Sequence, residues 1–281
     1  MLGPAPRGAA DSVETVTSRR NPLVARFRSA LRTNRRSRTH LLLDGRRLIA
    51  DARRAGLRLE SVLVAASALR RGAPALEALV ADCKANGIDI AAGSDPVLAA
   101  ASPLRSPSTA VALARHRAPA VEEVLARAAH GCLIAPAGVQ DPGNLGAIVR
   151  AADAAGAGGV VVTGAAADPF GWKALRGAMG STFRLPVADA GESSDLPEQA
   201  RRAGCTVLAA APRDGRSMYD LDLTRPALIL IGGEGSGIES PFHRSADAVV
   251  SIPMAGGVES LNAAVAAAVL AYEARRQRMA V

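Results

Sequence analysis

The sequence predicts an α/β fold arranged as two domains, and three observations lead to this prediction. The length of 281 residues is greater than that of a typical single domain. Short apolar runs alternate with amphipathic stretches, which is the pattern of strands that alternate with helices. In the second half the apolar runs are continuous, as in VVV and ALILI, and this indicates a parallel sheet buried on both faces.

The first half predicts a small α/β layer, residues 14–117, behind a disordered leader at residues 1–13. The leader reads MLGPAPRGAADS and lacks the apolar core of a signal peptide. Residues 14–40 are predicted to form a basic helix, which Asn21 and Pro22 can open. The strands that follow are predicted at 40–43, 59–64, 88–91 and 109–114, and the helices at 46–55, 74–86 and 96–101.

The second domain, residues 118–281, begins after a polar stretch interrupted by Pro119 and repeats the alternation more strongly. Its strands are predicted at 132–135, 159–163, 182–186, 206–210, 227–231 and 249–252. Its helices are predicted at 121–129, 145–155, 171–179 and 196–203, with a short turn at 240–244 and a long last helix beginning near Ser260.

The positive charge is concentrated in the first domain. The chain carries a net charge of +8, and residues 18–71 contain fifteen arginines against three acids. This predicts a polyanionic partner, with nucleic acid favoured. A compositional bias would explain Arg in place of Lys, but it would not explain the local shortage of acids. Aromatic residues make up only 2%, so base stacking on aromatic side chains is not expected as a main binding mode.

The cysteines and the hydropathy pattern exclude several classes of protein. Cys83, Cys132 and Cys205 lie far apart without the spacing of metal ligands, and they are predicted to be small buried side chains. This usage fits a reducing cytoplasm. The sequence has no run of 18 apolar residues, so a membrane span is not predicted.

The first candidate motif reads DPGNLGAIVR over residues 141–150. Asn144 is placed to cap the helix that follows. Arg150 falls on the second turn of that helix. There it either pairs with Asp153, three residues further on, or reaches into a site, and the spacing leaves both possibilities open.

The second motif, GGEGSG over residues 232–237, follows a strand and would bring backbone groups within reach of a ligand. Its glycine spacing differs from that of a dinucleotide fingerprint. Glu234 stands where a nucleophile elbow needs glycine. Glu234 either caps the amides of its own loop or holds a partner residue.

The third motif, SIPMAGGVESLN over residues 251–262, precedes the last helix. Ser260 and Asn262 are both suitable caps, and a helix needs only one. The other is therefore predicted to face the ligand.

The three motifs DPGNLGAIVRAADAAGA, LIGGEGSGI and SIPMAGGVESLNAAVAAAVLAYEARRQR resemble those of the SpoU, or TrmH-type, family of RNA 2′-O-ribose methyltransferases in the SPOUT superfamily. The resemblance covers residues 131–278. The stretch NPLVARFRSALRTNRRSRTHLLLDGRRLI is similar to the substrate-binding domain of the family, a ribosomal-protein-like α/β RNA binder. Asp44 departs from that domain, where Glu is expected.

The resemblance implies a homodimeric, S-adenosylmethionine-dependent enzyme that methylates an RNA ribose. Large-subunit ribosomal RNA is favoured over transfer RNA. The C-terminal parallel-sheet domain is expected to contain a trefoil knot, and no metal is implied.

Positions that match the catalytic or site-forming residues of the family are Asn144, Arg150, Glu234, Ser260 and Asn262. Positions expected to contact the cofactor are Gly232, Ile252 and Leu261, with Ala210, Gly233 and Met254 as further candidates. In the basic first domain the expected RNA contacts are Arg19, Arg35, Arg36 and Arg46.

Two other classes of protein compete with this interpretation. One is a non-catalytic RNA-binding protein of the same fold. The other is a Rossmann-type oxidoreductase, but it needs a glycine fingerprint after the first strand, where this chain reads PAGVQDPGN. The implied site contains no cysteine nucleophile, so methylation of a pyrimidine carbon is disfavoured.

Overall fold

The computed structural model describes residues 13–193, 195–234, 237–238 and 240–280. The chain divides into two compact units, residues 1–117 and residues 118–281. Apart from Val13, the predicted leader lies outside the described residues.

The first unit contains one sheet with helices packed against it. Its described strands are β1 (Glu14–Val16), β2 (His40–Asp44), β3 (Leu59–Ala65), β4 (Asp89–Gly93) and β5 (Ala110–Arg115). Its described helices are α1 (Pro22–Arg32), α2 (Arg46–Arg54), α3 (Ala66–Arg70), α4 (Pro74–Ala85) and α5 (Asp95–Ala101). The strand order is β1-β4-β3-β5-β2, with β5 antiparallel to both of its neighbours. This arrangement agrees with the predicted α/β layer.

The basic segment at the start of this unit differs from the prediction of one helix over residues 14–40. Glu14–Val16 is a strand, the helix spans Pro22–Arg32, and Arg35–Ser37 is a 3-10 turn. The strand exists because it pairs in parallel with β4, a partner about 75 residues away that local helical periodicity cannot reveal. The helix starts where it does because the Asn21 side chain accepts an amide of the first turn.

Two carboxylates anchor the first sheet. Asp44 is 5% exposed, and it accepts hydrogen bonds from the Ser102 hydroxyl at 2.5 Å and the Ser108 amide at 3.4 Å. Asp44, which is shorter than the Glu expected at this position, thus has a structural role in β2. Glu60 in β3 binds the His40 ring at 2.8 Å and also the Arg115 guanidinium. Burial acts to raise the pKa of Glu60, but these bonds hold it below its ordinary value.

The second unit is built on a parallel sheet. Its described strands are β6 (Leu133–Ala137), β7 (Gly159–Thr163), β8 (Val187–Gly191), β9 (Thr206–Ala210), β10 (Arg216–Ser217), β11 (Ala227–Gly232) and β12 (Ala248–Ser251). Its described helices are α6 (Val121–Leu125), α7 (Pro142–Ala154), α8 (Trp172–Ala178), α9 (Leu196–Arg202), α10 (Ser240–Arg244) and α11 (Ala263–Met279). The strand order is β10-β12-β9-β11-β6-β7-β8, and every pairing among them is parallel. The expectation of a parallel sheet is confirmed.

One predicted strand of this unit, over residues 182–186, is wrong. Ser181–Phe183 forms a 3-10 turn, and the strand begins only at Val187. Met179 and Gly180 both have positive φ, at 50° and 83°. The chain therefore reverses after α8 and reaches the sheet only beyond residue 186. The two-residue strand β10 is too short for an apolar pattern to predict.

Helices α7 and α8 approach each other closely because both carry glycine at the contact. A Cβ on Gly146 would lie 2.4 Å from the Ala174 carbonyl oxygen and 2.8 Å from the Gly177 Cα. All of these neighbours are backbone atoms, which cannot rotate away as a side chain can. The position of α7, and so of every side chain on it, depends on this contact.

Helix α11 is attached to the loop that precedes β11 by the side chain of Gln277. This amide donates to the Leu221 carbonyl at 3.0 Å and accepts from the Leu223 amide at 2.8 Å. Its nitrogen also donates to Glu273, which is 6% exposed. The helix is thus held along its second half. None of the helices in the described parts of the chain combines the length and apolar character that a bilayer crossing requires.

We expect Gly146→Ala to destabilise the second unit by about 1–3 kcal/mol, because the methyl group would overlap the backbone of α8. Alanine is favoured over glycine in a helix by roughly 1 kcal/mol, so helix propensity alone predicts that the variant is more stable than the wild type. Urea unfolding of the two proteins measures the change in the free energy of unfolding and decides between the two expectations. Arg202→Ala, on an exposed face of α9, serves as the control and should change stability by less than about 0.5 kcal/mol. A Gly146→Ala protein that is more stable than the wild type would contradict the close helix contact.

Candidate functional site

A cavity of about 490 Å³ lies where three neighbouring parallel strands end. Ala210 closes β9, Gly232 closes β11, and Ile252 follows β12. All three line the cavity. In open α/β sheets a ligand binds at the carboxyl ends of the strands, and this volume falls within the roughly 300–1,000 Å³ of small-molecule sites. The cavity is therefore the strongest candidate for a ligand site in the second unit.

Close backbone packing explains why glycines form the turn after β11. A Cβ on Gly232 would lie 2.3 Å from the Gly237 carbonyl carbon and 2.5 Å from the Ile238 nitrogen. A Cβ on Gly233 would lie 2.3 Å from the carbonyl oxygen of Gly138, in the turn after β6. Glycine is needed here for space, because neither position requires a positive φ. The result is a wall made largely of backbone atoms.

One carboxylate joins the turn after β11 to two helices. The Glu234 Oε1 accepts hydrogen bonds from the Asn144 amide nitrogen and, at 3.0 Å, from the Asn262 amide nitrogen. Asn262 also donates to the Asn144 carbonyl oxygen at 3.2 Å. These three side chains form a closed network at the cavity's edge. Glu234 thus holds partner residues, which was one of its two predicted roles.

The structure corrects the predicted role of Asn144 as a helix cap. The N-cap of α7 is Asp141, whose carboxylate accepts the Asn144 backbone amide at 2.7 Å. Asn144 lies inside the first turn, so its side chain is available to Glu234. At the last helix Asn262 is the cap and accepts the amides of Ala264 and Val265. The helix therefore begins at residue 263, slightly after the predicted start.

Of the two caps predicted in the third motif, Ser260 is the one that does not cap the last helix. Its hydroxyl makes no hydrogen bond within the described part of the chain, and the residue lines the cavity. The cavity wall includes all six positions expected to contact a cofactor, namely Ala210, Gly232, Gly233, Ile252, Met254 and Leu261. Sequence reasoning did not assign the wall residues Pro212 and Glu259. Pro212 lies outside the three motifs, and Glu259 lies within the third motif beside Ser260, which was taken as the candidate instead.

The electrostatic character of the cavity is negative. Among the described residues that line it, the charged ones are Glu234 and Glu259. The rest of the wall is backbone, the polar residues Ser260 and Asn262, and apolar side chains such as Ile231 and Leu261. Such a site suits a ligand with one apolar part and a positive charge.

Arg150 does not line this cavity. It lies six residues beyond Asn144 on α7, which corresponds to about 9 Å along the helix and about 120° around it. Asp153 pairs with Arg184 at 2.7 Å, so the predicted local pair with Arg150 is absent from the described contacts. Arg150 is exposed and makes no hydrogen bond or ion pair with the described residues.

The expected RNA contacts of the first unit occupy different places. Arg19 precedes α1, Arg35 lies in the 3-10 turn after it, and Arg46 begins α2. Arg19 and Arg46 are exposed, and Arg35 is half-buried. The side chain of Arg36 lies outside what the structure describes.

The three cysteines are buried and unpaired in disulfides. Burial raises the pKa of Cys83 and that of Cys132 to about 11, and it raises the pKa of Cys205 as well. These thiols stay protonated near neutral pH and are poor nucleophiles. No group of His, Cys, Asp and Glu within the described residues has the arrangement of a metal site.

The fold and the site together define an α/β protein that can hold a small molecule among backbone-lined turns at the carboxyl edge of a parallel sheet. Residues 132–272 match the SpoU rRNA Methylase family. This match covers half of the chain, so the chain belongs to that family, as its three motifs indicated.

Related proteins and structures agree with this assignment. A 23S rRNA (uridine(2479)-2′-O)-methyltransferase of Streptomyces viridochromogenes is 46% identical over 143 residues, which are 49% of this chain and 50% of that protein. A 23S rRNA (guanosine(2553)-2′-O)-methyltransferase of Bacillus subtilis is 39% identical over 154 residues, 55% of this chain and 61% of that protein. The chain thus matches about half the length of these curated relatives.

Solved structures cover more of the molecule. The crystal structure of an AdoMet-bound rRNA methyltransferase from Sinorhizobium meliloti has a TM-score of 0.80 and 30% identity. That comparison covers 94% of this chain and 98% of the other. A SpoU methyltransferase of Streptomyces viridochromogenes in complex with AdoMet has a TM-score of 0.77 at 30% identity, covering 93% of this chain and 100% of the other.

We expect Gly232→Ala to weaken binding of S-adenosylmethionine, the molecule that these related crystals hold, by at least about tenfold, or about 1.4 kcal/mol. The added methyl group would collide with the backbone of Gly237 and open the turn. Isothermal titration calorimetry measures the effect. Gly256→Ala is the matched control, because a Cβ there meets open space. Equal weakening in both variants would show that the glycine turn has no special role.

Proposed function

We propose that this protein is an S-adenosylmethionine-dependent methyltransferase that modifies a ribose 2′-hydroxyl of RNA, with large-subunit ribosomal RNA as the first candidate substrate. The observation that carries this proposal is the Glu234 network with Asn144 and Asn262 at the edge of a glycine-lined cavity. Residues 118–281 would form the methyltransferase domain and residues 14–117 the RNA-binding domain. A ribosomal RNA substrate and three reduced cysteines support a cytoplasmic location.

The cavity has the chemistry that S-adenosylmethionine needs. Apolar walls from Ile231 and Leu261 suit the adenine ring, and backbone groups around Gly232 suit its polar edge. Carboxylates of Glu234 and Glu259 lie on the wall, where they favour a sulfonium and an ammonium group. Bound there, S-adenosylmethionine would supply the methyl group that is transferred.

The residues of the chain would act mainly by positioning. Transfer of a methyl group to a ribose oxygen is an in-line displacement, and correct alignment can supply about 7–11 kcal/mol. Ser260, with its hydroxyl unpaired at the cavity, would bind the ribose. Asn144, Glu234 and Asn262 satisfy one another, so their proposed role is to hold the turn and the two helix starts in register. The proton of the 2′-hydroxyl must leave as the new C–O bond forms.

Arg150 would bind the RNA phosphate beside the target ribose and help to relay the proton away from the 2′-oxygen. An arginine side chain remains protonated in proteins, so it is better suited to this role than to acting as the base alone. Its exposure and lack of a described partner support this role.

A homodimer is part of the proposal, because one chain does not bring Arg150 to its own cavity wall. Helix α11, which packs against α7, carries exposed apolar side chains at seven-residue intervals. Val265, Tyr272 and Met279 are 48%, 50% and 74% exposed. Such a stripe on one helix face supports burial against a second copy. We also propose that the segment between β12 and α11 contributes to a trefoil knot, as the family resemblance implies.

The direct test uses purified protein, methyl-labelled S-adenosylmethionine, 23S ribosomal RNA and bulk transfer RNA. We expect label in the ribosomal RNA, at a nucleotide whose 3′ phosphodiester resists alkaline cleavage. A transcript with a 2′-deoxynucleotide at the mapped position should accept no label. Label on a base would refute ribose methylation, and label confined to transfer RNA would favour that substrate instead.

We expect Arg150→Ala to retain S-adenosylmethionine binding and to lose methyl transfer by at least about a hundredfold, or about 2.7 kcal/mol of transition-state stabilisation. The reason is that Arg150 lies outside the cavity wall but can reach RNA. Single-turnover transfer and calorimetry measure the two properties separately. Arg202→Ala, another exposed arginine of this unit, is the control for general loss of charge. Near-normal transfer by Arg150→Ala would remove this residue from the mechanism.

A further inference from the structure

Two cavities of the first unit are connected through one side chain, Arg53. The first, of about 550 Å³, lies between α2 and α4. The second, of about 540 Å³, lies where β3 and β4 begin and β5 ends. Arg53 lines both cavities, and we call the surface that the two cavities line together the arginine track. The arginines that line it are Arg26, Arg46, Arg47, Arg53, Arg54, Arg58 and Arg115.

The track keeps a positive excess after its own acids are counted. Its seven arginines face three carboxylates, those of Glu60, Asp82 and Asp89, which leaves an excess of four charges. Glu60 binds Arg26 at 3.3 Å and also Arg115. Two of the seven guanidiniums are therefore held by one acid that lines the second cavity.

Pairing along the rest of the track is uneven. Arg53 is held by Asp82 at 3.0 Å. Arg46, Arg47 and Arg58 are exposed, and within the described part of the chain they make no side-chain hydrogen bond or ion pair. Arg46 and Arg47 also stand in the first turn of α2, where positive side chains oppose the helix dipole. The guanidiniums of these three arginines have no partner among the described residues, so their placement suits an external anion.

The lining of the track favours phosphate over an acidic protein surface. Every cation on it is arginine, whose planar guanidinium binds phosphate with two hydrogen bonds. The uncharged residues that line the cavity between the helices are Ala50, Ala75, Ala78 and Leu79. Among the described residues that line the track, none is aromatic. Protein interfaces take much of their binding energy from large aromatic anchors, and unpaired bases need aromatic rings for stacking.

From these observations we infer that the arginine track binds the phosphate backbone of a helical part of the substrate RNA, without reading its sequence. The inference rests on the proposed function and gives its RNA-binding domain a definite surface. Phosphate contacts orient a protein on a duplex and carry no sequence information, and A-form helices are recognised largely through shape and backbone. Of the expected RNA contacts, Arg46 belongs to the track, whereas Arg19 and Arg35 do not line it.

The test compares two triple variants of the full chain. The track variant is Arg46→Gln with Arg47→Gln and Arg58→Gln, and the control is Arg20→Gln with Arg28→Gln and Arg32→Gln. The control arginines belong to the same unit, are exposed, and do not line the track. Both variants lose the same net charge. The probe is a fluorescein-labelled RNA hairpin with a 20-base-pair stem of arbitrary sequence, titrated at several salt concentrations, and circular dichroism confirms folding.

We expect the track variant to bind the hairpin at least about tenfold more weakly than wild type. The slope of log affinity against log salt should become shallower by roughly 0.9 for each phosphate that the variant no longer neutralises. The control should weaken affinity by less than about threefold, because the arginines that it removes attract the RNA only by long-range electrostatics, which salt screens. An equal weakening in both variants, or a track variant that binds normally, would overturn the inference.

Two further measurements, competition binding and methyl transfer, separate this inference from its alternatives. Poly-L-glutamate or single-stranded oligouridine that competes as well as the hairpin would overturn it, because the surface would then favour an acidic protein or an unpaired strand. Methyl transfer is scored separately. A chain that binds the hairpin through the track but transfers no methyl group would sustain this inference while removing the proposed activity.

Discussion

The arrangement of the candidate site depends on a single carboxylate, that of Glu234. Its oxygen accepts hydrogen bonds from Asn144 and Asn262, which are 90 and 28 residues away in the chain. Asn262 in turn caps α11. One acceptor therefore sets the relative positions of a glycine turn and two helix starts. A neutral side chain of the same size could not accept from both amides as strongly, because charge-assisted bonds are about twice as strong as neutral ones.

Backbone contact is the second constraint, and it explains why the wall has so few side chains. Gly233 lies against the carbonyl of Gly138, and Gly146 lies against the backbone of α8. Both contacts are shorter than any Cβ would permit. The turn after β11 thereby lies directly against the turn after β6, and α7 lies directly against α8. A ligand at this edge meets backbone hydrogen-bonding groups that are already oriented by the strands.

The sequence was most informative where local pattern and tertiary context agree. The strands at residues 159–163 and 206–210 were predicted with their observed bounds, because continuous apolar runs leave little choice in a buried parallel sheet. β1 was missed because its pairing with β4 is non-local. Asn144 was assigned as the cap of α7, but Asp141, three residues earlier, is an equally suitable cap and occupies that position. Local sequence does not decide between the two. The position of Arg150 relative to the cavity depends on how α7 packs, which spacing along one helix cannot show.

The negative wall of the cavity also bears on turnover. With the proposed donor bound, Glu234 and Glu259 would lie beside a positively charged sulfonium. Giving up the methyl group converts that sulfonium into a neutral thioether of almost the same shape. The attraction between wall and ligand then weakens while the apolar contacts remain. Such a cavity would exchange spent donor for fresh donor more readily than a neutral one of equal size.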